Sequence, residues 1–598
     1  MNHLHEAIAD KVAVWRAEGY PHSHSPAISE ILDYAWADDE RRELRYLRAA
    51  QFRALETYWY LRLVMGTARI PDLYRQLFDG LTARLEAMGV SAQLFAQADF
   101  NEDALFRRIR TDDVFVRKHK LESLRETLTL DYPSYILALA MGAGKTILMG
   151  TIVATEFAMA QEYSEGDFVQ NALIFAPGKT IIESLREIAD MPFERILPPR
   201  MYKTFAASLK LTFTRDGAKE LPIVPGSSWN VVVTNTEKIR IQKPTGRRNG
   251  GGLRLNLHPG DDPEAEIANL RLQAIASLPH LAVFSDEAHH TYGQKLLGQI
   301  KKVRRTVDYL GKNTNLIIVV NTTGTPYFER QPLKDVVIWY GLGEGIRDGV
   351  LKEVARNIKV FDLDEDRASD LVREVVADFV RDYWKVKLPD GAPARLALYF
   401  PSTQAVAELR PQVEAALAAH GLDTSAVLEV NNKSSDKVKS EFYRVAGDPA
   451  SPYRVILLVN MGTEGWNCPS LFACALVRKL QSSNNFVLQA ATRCLRQVPG
   501  NDRPARIYLA SANRKPLEAQ LSETYGTSIQ ALNERETERV EKVVELKHPD
   551  LPKLLIRRKV LRFRRKQGKT RAKPLKLEKP NVIWTGAGSF QSWQIVDT

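Results

Sequence analysis

The chain has 598 residues, of which 44% are hydrophobic and 26% charged, a balance typical of a globular protein with about three or four domains. No uninterrupted apolar run approaches the roughly 20 residues of a membrane span. The N-terminal stretch has acidic residues and no apolar signal core, so we expect neither a membrane protein nor a secreted one. The three cysteines, Cys468, Cys474 and Cys494, fit neither a zinc pair nor a disulfide framework, and we expect a cytoplasmic protein.

The net charge of +11 comes from one segment near the C-terminus. Residues 553–580 contain 13 Lys and Arg and a single acid, Glu578, so this segment carries +12 and the rest of the chain −1. A local basic patch on an otherwise balanced protein predicts a surface that binds a polyanion. The alternative is a solvated tail, because runs of like charge are often only that.

Residues 1–125 are predicted to be mostly helical, because they include long stretches rich in Leu, Ala, Arg and Glu without Gly or Pro. From about residue 130, short apolar runs alternate with helical stretches. These runs are YILALA (135–140), ALIFA (172–176), NVVVT (230–234), LAVFS (281–285) and LIIVVN (316–321), followed by RLALYF (395–400), RVILLVN (454–460), ACALVR (473–478) and RIYLA (506–510).

Apolar runs of this length suit strands buried on both faces, and their alternation with helices predicts an α/β fold with parallel sheets. Because the runs form two series in tandem, we predict two α/β domains. The predicted boundaries are a helical region at 1–125, domains at 126–350 and 351–515, and a basic accessory segment at 516–598. The Gly-rich stretch 245–263 is predicted to be a surface insertion.

A phosphate-binding loop is predicted within LALAMGAGKTILMG (137–150), where a strand leads through glycines into a helix. Gly142 and Gly144 allow the backbone to curl around Ala143, so that successive N–H groups point at phosphate oxygens. The helix N-terminus adds the positive end of its dipole. Lys145 is expected to reach the β- and γ-phosphates of ATP, and the Thr146 hydroxyl to bind Mg²⁺.

Acidic residues end a later strand, in LAVFSDEAHH (281–290). Asp286, 141 residues after Lys145, is expected to hold Mg²⁺, and Glu287 to orient and deprotonate the attacking water. A zinc site is the alternative, but adjacent His289 and His290 would point in different directions on a helix, and no further ligands lie nearby in the sequence.

With these residues placed, the chain resembles superfamily 2 helicases and translocases, and in particular the Res subunit of type III restriction enzymes. The resemblance covers about 370 residues and rests on motifs in the expected order. These motifs are MGAGKT (141–146), FAPGK (175–179), VVVTNTEK (231–238), DEAHH (286–290), TTGTP (322–326), LALYFPS (396–402), GTEGWNCP (462–469) and QAATRCLRQ (489–497). It implies two tandem RecA-like ATPase domains that couple ATP hydrolysis to movement along, or switching on, duplex DNA.

The resemblance also assigns roles to residues outside the phosphate loop. It implies that His289 links the nucleotide site to the second domain, and that Thr323 and Thr325 couple hydrolysis to DNA. Arg493 and Arg496 match arginines that reach across the cleft between the domains, where they would neutralise charge on the transferred phosphoryl group.

Two glutamines complete the set of expected nucleotide contacts. Gln489 opens the last motif, and Gln51, 94 residues ahead of Lys145, resembles an adenine-reading glutamine. The alternative for Gln51 is an exposed helix residue without a role. Two positions depart from the family pattern, since Thr492 stands where Gly is usual and Asn467 where Asp is usual, which puts ribose or cleft contacts in doubt.

The expected partner is duplex DNA, held mainly by its phosphate backbone, with the basic segment extending the binding track. A methyltransferase or specificity partner is implied by the resemblance alone. A complete Res subunit continues into a nuclease, but Glu545 and Lys547 form only an acid-x-Lys pair without an upstream acid, so we predict a motor without an evident nuclease. An RNA helicase, or an ATP-gated scaffold with little turnover, remain as alternatives.

Overall fold

The computed structural model describes most of the chain up to residue 533 and two short strands beyond it. The described residues are 3–38, 40–140, 142–176, 185–214, 221–235, 238–239, 241–242, 267–286, 297–324, 326–328, 331–354, 356–361, 367–462, 466–478, 486–498, 500–525, 527–533, 582–583 and 594–595. Residues 1–536 form one compact unit and residues 537–598 a second one. The predicted insertion at 245–263, the basic segment at 553–580 and the pair Glu545 and Lys547 lie outside the described residues.

The chain begins with a helical region, as the sequence predicts. Its helices are α1 (Leu4–Ala17), α2 (Ala27–Tyr34), α3 (Ala49–Trp59), α4 (Ile70–Leu77), α5 (Leu81–Ala87), α6 (Ala92–Ala96), α7 (Glu102–Thr111), α8 (Asp113–His119) and α9 (Glu122–Leu128). A π-helical turn, Tyr60–Val64, extends α3.

The first sheet follows this region and has seven parallel strands. The elements are β1 (Ser134–Leu139), α10 (Lys145–Glu162), β2 (Asn171–Ala176), α11 (Pro199–Ser208), β3 (Lys210–Phe213), β4 (Asn230–Asn235), β5 (Ile241–Gln242), β6 (Ile267–Ala268), α12 (Leu270–Ala276), β7 (Leu281–Asp286), α13 (Leu297–Asn313), β8 (Leu316–Thr323), β9 (Tyr327–Phe328), β10 (Gln331–Pro332), β11 (Val336–Tyr340) and α14 (Leu342–Arg347). The strand order is β11-β1-β8-β7-β2-β4-β3, and β5 with β6 and β9 with β10 form small antiparallel pairs.

The second sheet has six parallel strands. The elements of this part of the chain are β12 (Ile358–Phe361), α15 (Ala368–Tyr383), β13 (Arg395–Phe400), α16 (Thr403–Ala419), β14 (Val427–Asn431), α17 (Asp436–Gly447), β15 (Val455–Val459), β16 (Leu471–Leu476), α18 (Phe486–Ala491), β17 (Arg506–Ala510), α19 (Ser511–Tyr525) and α20 (Ile529–Asn533). The strand order is β12-β17-β16-β13-β15-β14. In the second compact unit, β18 (Val582–Ile583) pairs with β19 (Gln594–Ile595) in antiparallel fashion.

The predicted α/β fold with two parallel sheets is confirmed, and the nine predicted strands are the interior strands of the two sheets. Four further strands of these two sheets, β3, β11, β12 and β14, were not predicted from the sequence, and they form the sheet edges. Interior strands such as β1, β4, β7, β13 and β16 are buried at every position, whereas the edge strands include half-buried residues. An edge strand is covered less completely, so its sequence lacks the continuous apolar run that identified the others.

Both sheets are covered on both faces, because alternate residues of each strand point into separate cores. In β2, for example, Ala172 and Ile174 face the core shared with the N-terminal helices, whereas Leu173 and Phe175 face α12 and α13. The second sheet has the same arrangement, with α15 and α16 on one face and α17 to α20 on the other. Among the described residues, no helix is both long enough and apolar enough to cross a membrane.

The helix that follows the phosphate loop, α10, is buried on all sides from Leu148 to Ala160. The N-terminal helices cover the face that the sheet leaves open, and a buried ion pair fastens them. The carboxylate of Glu156 accepts hydrogen bonds from Arg62 Nε (2.6 Å), Tyr58 Oη (2.6 Å) and the Val169 N–H (2.9 Å). The N-terminal region is therefore part of the packing of α10.

We predict that Glu156→Ala lowers the free energy of unfolding by about 3–5 kcal/mol, because it leaves the Arg62 guanidinium buried without its counter-charge. The side chains of this pair are 5% and 0% exposed. The matched control is Glu30→Ala, which removes an ion pair to Arg200 whose side chains are 42% and 49% exposed, and it should cost less than about 1 kcal/mol. Denaturant unfolding followed by circular dichroism measures both, and equal losses would contradict the prediction.

Candidate nucleotide-binding site

The phosphate loop connects the carboxyl end of β1 to α10. Gly142 and Gly144 both have positive φ, 86° and 85°, a region that residues with a side chain rarely adopt. Lys145 and Thr146 are the first two residues of the 18-residue helix α10, and both are half-buried. The N-terminal N–H groups of that helix and its dipole favour an anion at this end. Ala143, between the glycines, is buried.

Gly144 is packed against the N-terminal helix α3. The Gln51 side-chain Nε2 donates to the Gly144 carbonyl (2.9 Å), and its Oε1 accepts from the Arg48 N–H (2.8 Å). A Cβ at Gly144 would lie 2.2 Å from Gln51 Nε2. Gln51 is 3% exposed, so the alternative of an exposed helix residue is wrong. The Arg48 guanidinium also reaches the loop, donating to the Gly142 carbonyl (2.6 Å).

Gly142 is packed from the other side by the segment that leads to the second sheet. A Cβ at Gly142 would lie 3.1 Å from Leu351 Cδ2 and 3.3 Å from Arg496 Cγ. Leu351 and Arg496 are themselves paired by an antiparallel β-bridge. One of the two predicted cleft arginines therefore lies directly against the phosphate loop, and Glu187 lies within electrostatic range of both Arg48 and Arg496.

Asp286 ends β7 at the same edge of the sheet. It is 6% exposed, and its Oδ1 accepts a hydrogen bond from Thr322 Oγ1 on β8 (2.9 Å). The register places Asp286 level with Thr322, and Thr322 level with Leu137 of β1, so the acidic strand lies two strand spacings of about 4.8 Å from the phosphate-loop strand. Thr323 is buried at the end of β8, level with Ala138.

The second sheet contributes the arginine turn, residues 492–496, of which Thr492–Leu495 is a 3₁₀ helix. The turn is bonded to the WNCP loop, residues 466–469. Arg493 is 4% exposed and donates from Nη1 to the Trp466 carbonyl (3.1 Å). Arg496 Nη1 donates to Asn467 Oδ1. Trp466 packs on the Phe442 ring, with ring centroids 4.6 Å apart, and is 1% exposed.

The two residues that depart from the family pattern, Asn467 and Thr492, are both hydrogen-bonded. Asn467 accepts from Arg496 as an aspartate would, and the Thr492 hydroxyl donates to the Leu488 carbonyl (2.8 Å) within its own helical turn. Gln489 is buried in α18, 6% exposed. Neither departure leaves a gap in the described part of the site.

Several predicted site residues lie outside the described residues. They are Glu287, His289 and Thr325, together with His290 and the loop residues 177–180. Their roles stay predictions. Among the residues that the structure describes, no group of three or more His, Cys, Asp or Glu side chains could hold a metal ion.

Three contacting residues were missed by the sequence analysis. Thr322 is the immediate neighbour of the expected coupling residue Thr323, but only the pairing of β7 with β8 reveals its bond to Asp286. Arg48 lies one turn before Gln51, and Leu351 lies at the predicted domain join; nothing in their sequence surroundings indicates that they pack on the phosphate loop.

The residues fit a nucleotide with its bound magnesium ion. The loop glycines have no room for side chains, so backbone rather than side chains lines the start of α10. A lysine and a hydroxyl begin that helix, and a buried carboxylate stands at the same sheet edge, where ligands of open parallel sheets bind. Oxygen ligands from a hydroxyl and a carboxylate suit Mg²⁺, which keeps waters and substrate phosphates as its other ligands.

Residues 116–328 match a family model described as the type III restriction enzyme, res subunit. The matched region contains the phosphate loop and Asp286, and it ends before the second sheet. The match and the geometry of the phosphate loop indicate an ATP-hydrolysing enzyme. No curated protein matches the sequence.

Solved structures of similar architecture come from restriction enzymes and helicases. A fragment of an HsdR subunit of a type I restriction enzyme from Vibrio vulnificus has 14% identity and a TM-score of 0.41, over 74% of this chain and 72% of that one. The type ISP restriction-modification enzyme LlaBIII bound to DNA has 15% identity and a TM-score of 0.42, over 70% of this chain and 29% of its own. S. cerevisiae Dbp5, bound to RNA and ADP BeF3, has 11% identity and a TM-score of 0.38, over 74% and 94%.

We predict that Thr322→Val raises the Mg²⁺ concentration needed for half-maximal ATP hydrolysis by about 10-fold or more, since partners that orient a metal ligand have effects of this size. The substitution keeps the side-chain shape and removes the hydrogen bond to Asp286. Thr322→Ser keeps the hydroxyl and is the matched control. Identical magnesium titrations for the valine and serine variants would contradict the prediction.

Proposed function

We propose that this protein is a DNA-dependent ATPase motor of the kind found in the Res subunit of type III restriction enzymes. The observation that carries the proposal is the packing of the phosphate loop. Gly142 contacts Arg496 from the second sheet, while Gly144 contacts Gln51 from the N-terminal helices. A nucleotide at the start of α10 would therefore meet groups from both sheets, which is what a motor requires to convert hydrolysis into relative movement of its domains.

In the proposed mechanism the substrate is ATP with its magnesium ion. Lys145 and the α10 N-terminus would bind the β- and γ-phosphates, and Thr146 and Asp286 would hold the ion, which would supply positive charge against the charge that develops on the phosphoryl oxygens. Thr322 keeps the Asp286 carboxylate oriented, and Glu287 accepts the proton of the attacking water.

The second sheet supplies positive charge in the same proposal. Arg496 neutralises charge on the transferred phosphoryl group, and its contact with Gly142 supports this role. Arg493 acts on the same group or braces the arginine turn through the Trp466 carbonyl. Gln489 belongs to the same segment. Gln51 contributes to nucleotide binding either by reading adenine or by fixing Gly144, to which it is bonded.

The division into parts follows the two sheets. We assign residues 126–350 to a first motor domain, with the helical region 1–125 packed on it, and begin a second motor domain at residue 351. The boundary predicted at residue 516 falls within α19, and because α19 and α20 pack on the second sheet, we extend the second domain to residue 533 and begin the accessory segment after it. His289, Thr323 and Thr325 would transmit hydrolysis from the first domain to the second. The buried position of Thr323 at the end of β8 supports a place in this path.

Duplex DNA is the proposed track, bound through its phosphates without base recognition, which suits a motor that must release and rebind. The basic segment 553–580 would extend this surface. A methyltransferase partner belongs to the same proposal, and it rests on the family resemblance. Thr492 and Asn467, the two departures from the family pattern, are both hydrogen-bonded, so we favour turnover over the scaffold alternative.

We predict that duplex DNA stimulates steady-state ATP hydrolysis, and that Lys145→Ala and Glu287→Gln each lower the stimulated rate by at least about 100-fold. Removing the lysine weakens binding of the β- and γ-phosphates, whereas removing the carboxylate takes away the base but leaves binding intact. ATP binding should therefore be lost in the first variant and kept in the second.

Hydrolysis is compared with duplex DNA, single-stranded DNA, RNA and no nucleic acid. Stimulation by RNA alone would replace the proposed function with that of an RNA helicase. A slow rate that no nucleic acid changes would favour a scaffold. Undiminished hydrolysis in the Glu287→Gln variant would overturn the mechanism itself.

A further inference from the structure

Lys352 is a fully buried cation that the proposed chemistry has not used. Its side chain is 0% exposed. Its ammonium donates to the carbonyls of Pro469 (2.8 Å), Leu471 (3.0 Å) and Cys494 (3.3 Å) and lies 4.4 Å from the Phe472 ring centroid. Lysine is almost never fully buried without a pairing partner, and the partners that the described residues provide are carbonyl oxygens rather than a carboxylate.

Two of the three acceptors of Lys352 belong to the two segments that hold the cleft arginines, and the third, Leu471, begins β16. Cys494 is in the arginine turn, and Pro469 ends the WNCP loop, which accepts hydrogen bonds from both Arg493 and Arg496. The Lys352 backbone N–H donates to the Leu495 carbonyl, also in the turn (2.6 Å). An ammonium has three N–H donors, and each has one carbonyl here, so one side chain fastens the turn to the loop.

The residue before Lys352 touches the phosphate loop. Leu351 pairs with Arg496 by a β-bridge, and its side chain would lie 3.1 Å from a Cβ at Gly142. The dipeptide 351–352 therefore contacts the phosphate loop with its first residue and the arginine turn with both. We call the Lys352 ammonium and its three carbonyl acceptors the ammonium cage. A shift of this cage would move Arg496 relative to the phosphate loop.

We propose that Lys352 is a positioning residue that fixes the arginine turn of the second sheet against the phosphate loop of the first. The proposal rests on the proposed function, since positioning matters only if Arg496 acts on the nucleotide. The same cage adds positive charge at this place, because Lys352 lies close enough to Arg496 for their charges to interact.

Burial makes the charge of Lys352 titratable near neutrality. The pKa of the ammonium is lowered to about 8, mainly by burial; the thiols of Cys494, Cys468 and Cys474 act in the opposite direction, and Arg496 adds to the lowering. Burial also raises the pKa of the Cys468 and Cys474 thiols. As the pH rises through about 8, the ammonium becomes an amine with two donors for three carbonyls, so the hold on the turn weakens.

The first test is Lys352→Met, which keeps an unbranched side chain of similar length and removes the charge and the donors. We expect kcat for ATP hydrolysis to fall about 10- to 100-fold, the cost of misplacing a reacting group by about 1 Å, with KM for ATP within about 2-fold because the phosphate loop itself is unchanged. Lys439→Met is the matched control, since that ammonium donates to one carbonyl, Asn432, at the surface (2.9 Å). Equal kcat in Lys352→Met and wild type would overturn the proposal.

The second readout does not depend on hydrolysis. Cys468, Cys474 and Cys494 are the three cysteines of the chain, and all are buried around the cage. Labelling by a thiol reagent under native conditions should be several-fold faster in Lys352→Met than in wild type or Lys439→Met. If labelling is faster in Lys352→Met but the wild type does not hydrolyse ATP, the proposed function is contradicted and the structural role of Lys352 is supported. Unchanged labelling would contradict that structural role.

The third readout covers the case in which Lys352→Met does not fold. Lys352→Arg keeps a charge that does not titrate below pH 12. We expect kcat of the wild type to fall between pH 7.5 and 9, and kcat of the arginine variant to stay level over that range. A fall of the same size in both proteins would assign the titration to the thiols, which both retain, and would contradict the role of Lys352.

Discussion

The phosphate loop has no free space beside its two glycines, and the residues that occupy this space come from distant parts of the chain. Gln51 of α3 lies against Gly144, and Leu351 and Arg496 lie against Gly142. The shape of the loop is therefore set from both sides, by the N-terminal helices and by the second sheet. Any movement of the second sheet away from the first must change the surroundings of the loop, and in the proposed function this would couple domain movement to the nucleotide.

The packing of Gln51 against Gly144 gives the N-terminal helices a part in holding the phosphate loop. The helix that carries Lys145 is buried on all sides, and α3 is fastened to it through Glu156 at one end and through Gln51 at the other. A second buried carboxylate, Glu56, accepts hydrogen bonds from Arg16 and Tyr20 and so fastens α1 to α3 (2.6 Å to each). The N-terminal helices therefore support the phosphate loop.

The sequence predicted the interior of both sheets and the position of the main site residues, because buried parallel strands and a glycine-bearing loop leave strong local patterns. It missed the four edge strands, whose partial exposure removes that pattern. It also missed Thr322, Arg48 and Lys352, whose roles depend on contacts between segments far apart in the chain. Gln51 was recognised, but its burial against Gly144 and its bond to that carbonyl follow only from the fold.

The two arginines of the arginine turn were identified by their motif, but they lie in different surroundings. Arg493 is buried and bonded to the Trp466 carbonyl, whereas Arg496 lies at Gly142. Lys352 lies between the turn and the loop that accepts from both arginines. In the proposed function, charge brought to the nucleotide from the second sheet is held by the Trp466 carbonyl, the Asn467 side chain and the carbonyls around Lys352.

The central claim is that the second sheet acts directly on a nucleotide held by the first. The most direct measurement is kcat for ATP hydrolysis in Arg496→Ala, with the exposed Arg503→Ala as control. The account predicts a fall of about 1,000-fold or more, the size of effect expected for an arginine that stabilises the transferred phosphoryl group, with ATP binding retained. A kcat within about 2-fold of the control would contradict it.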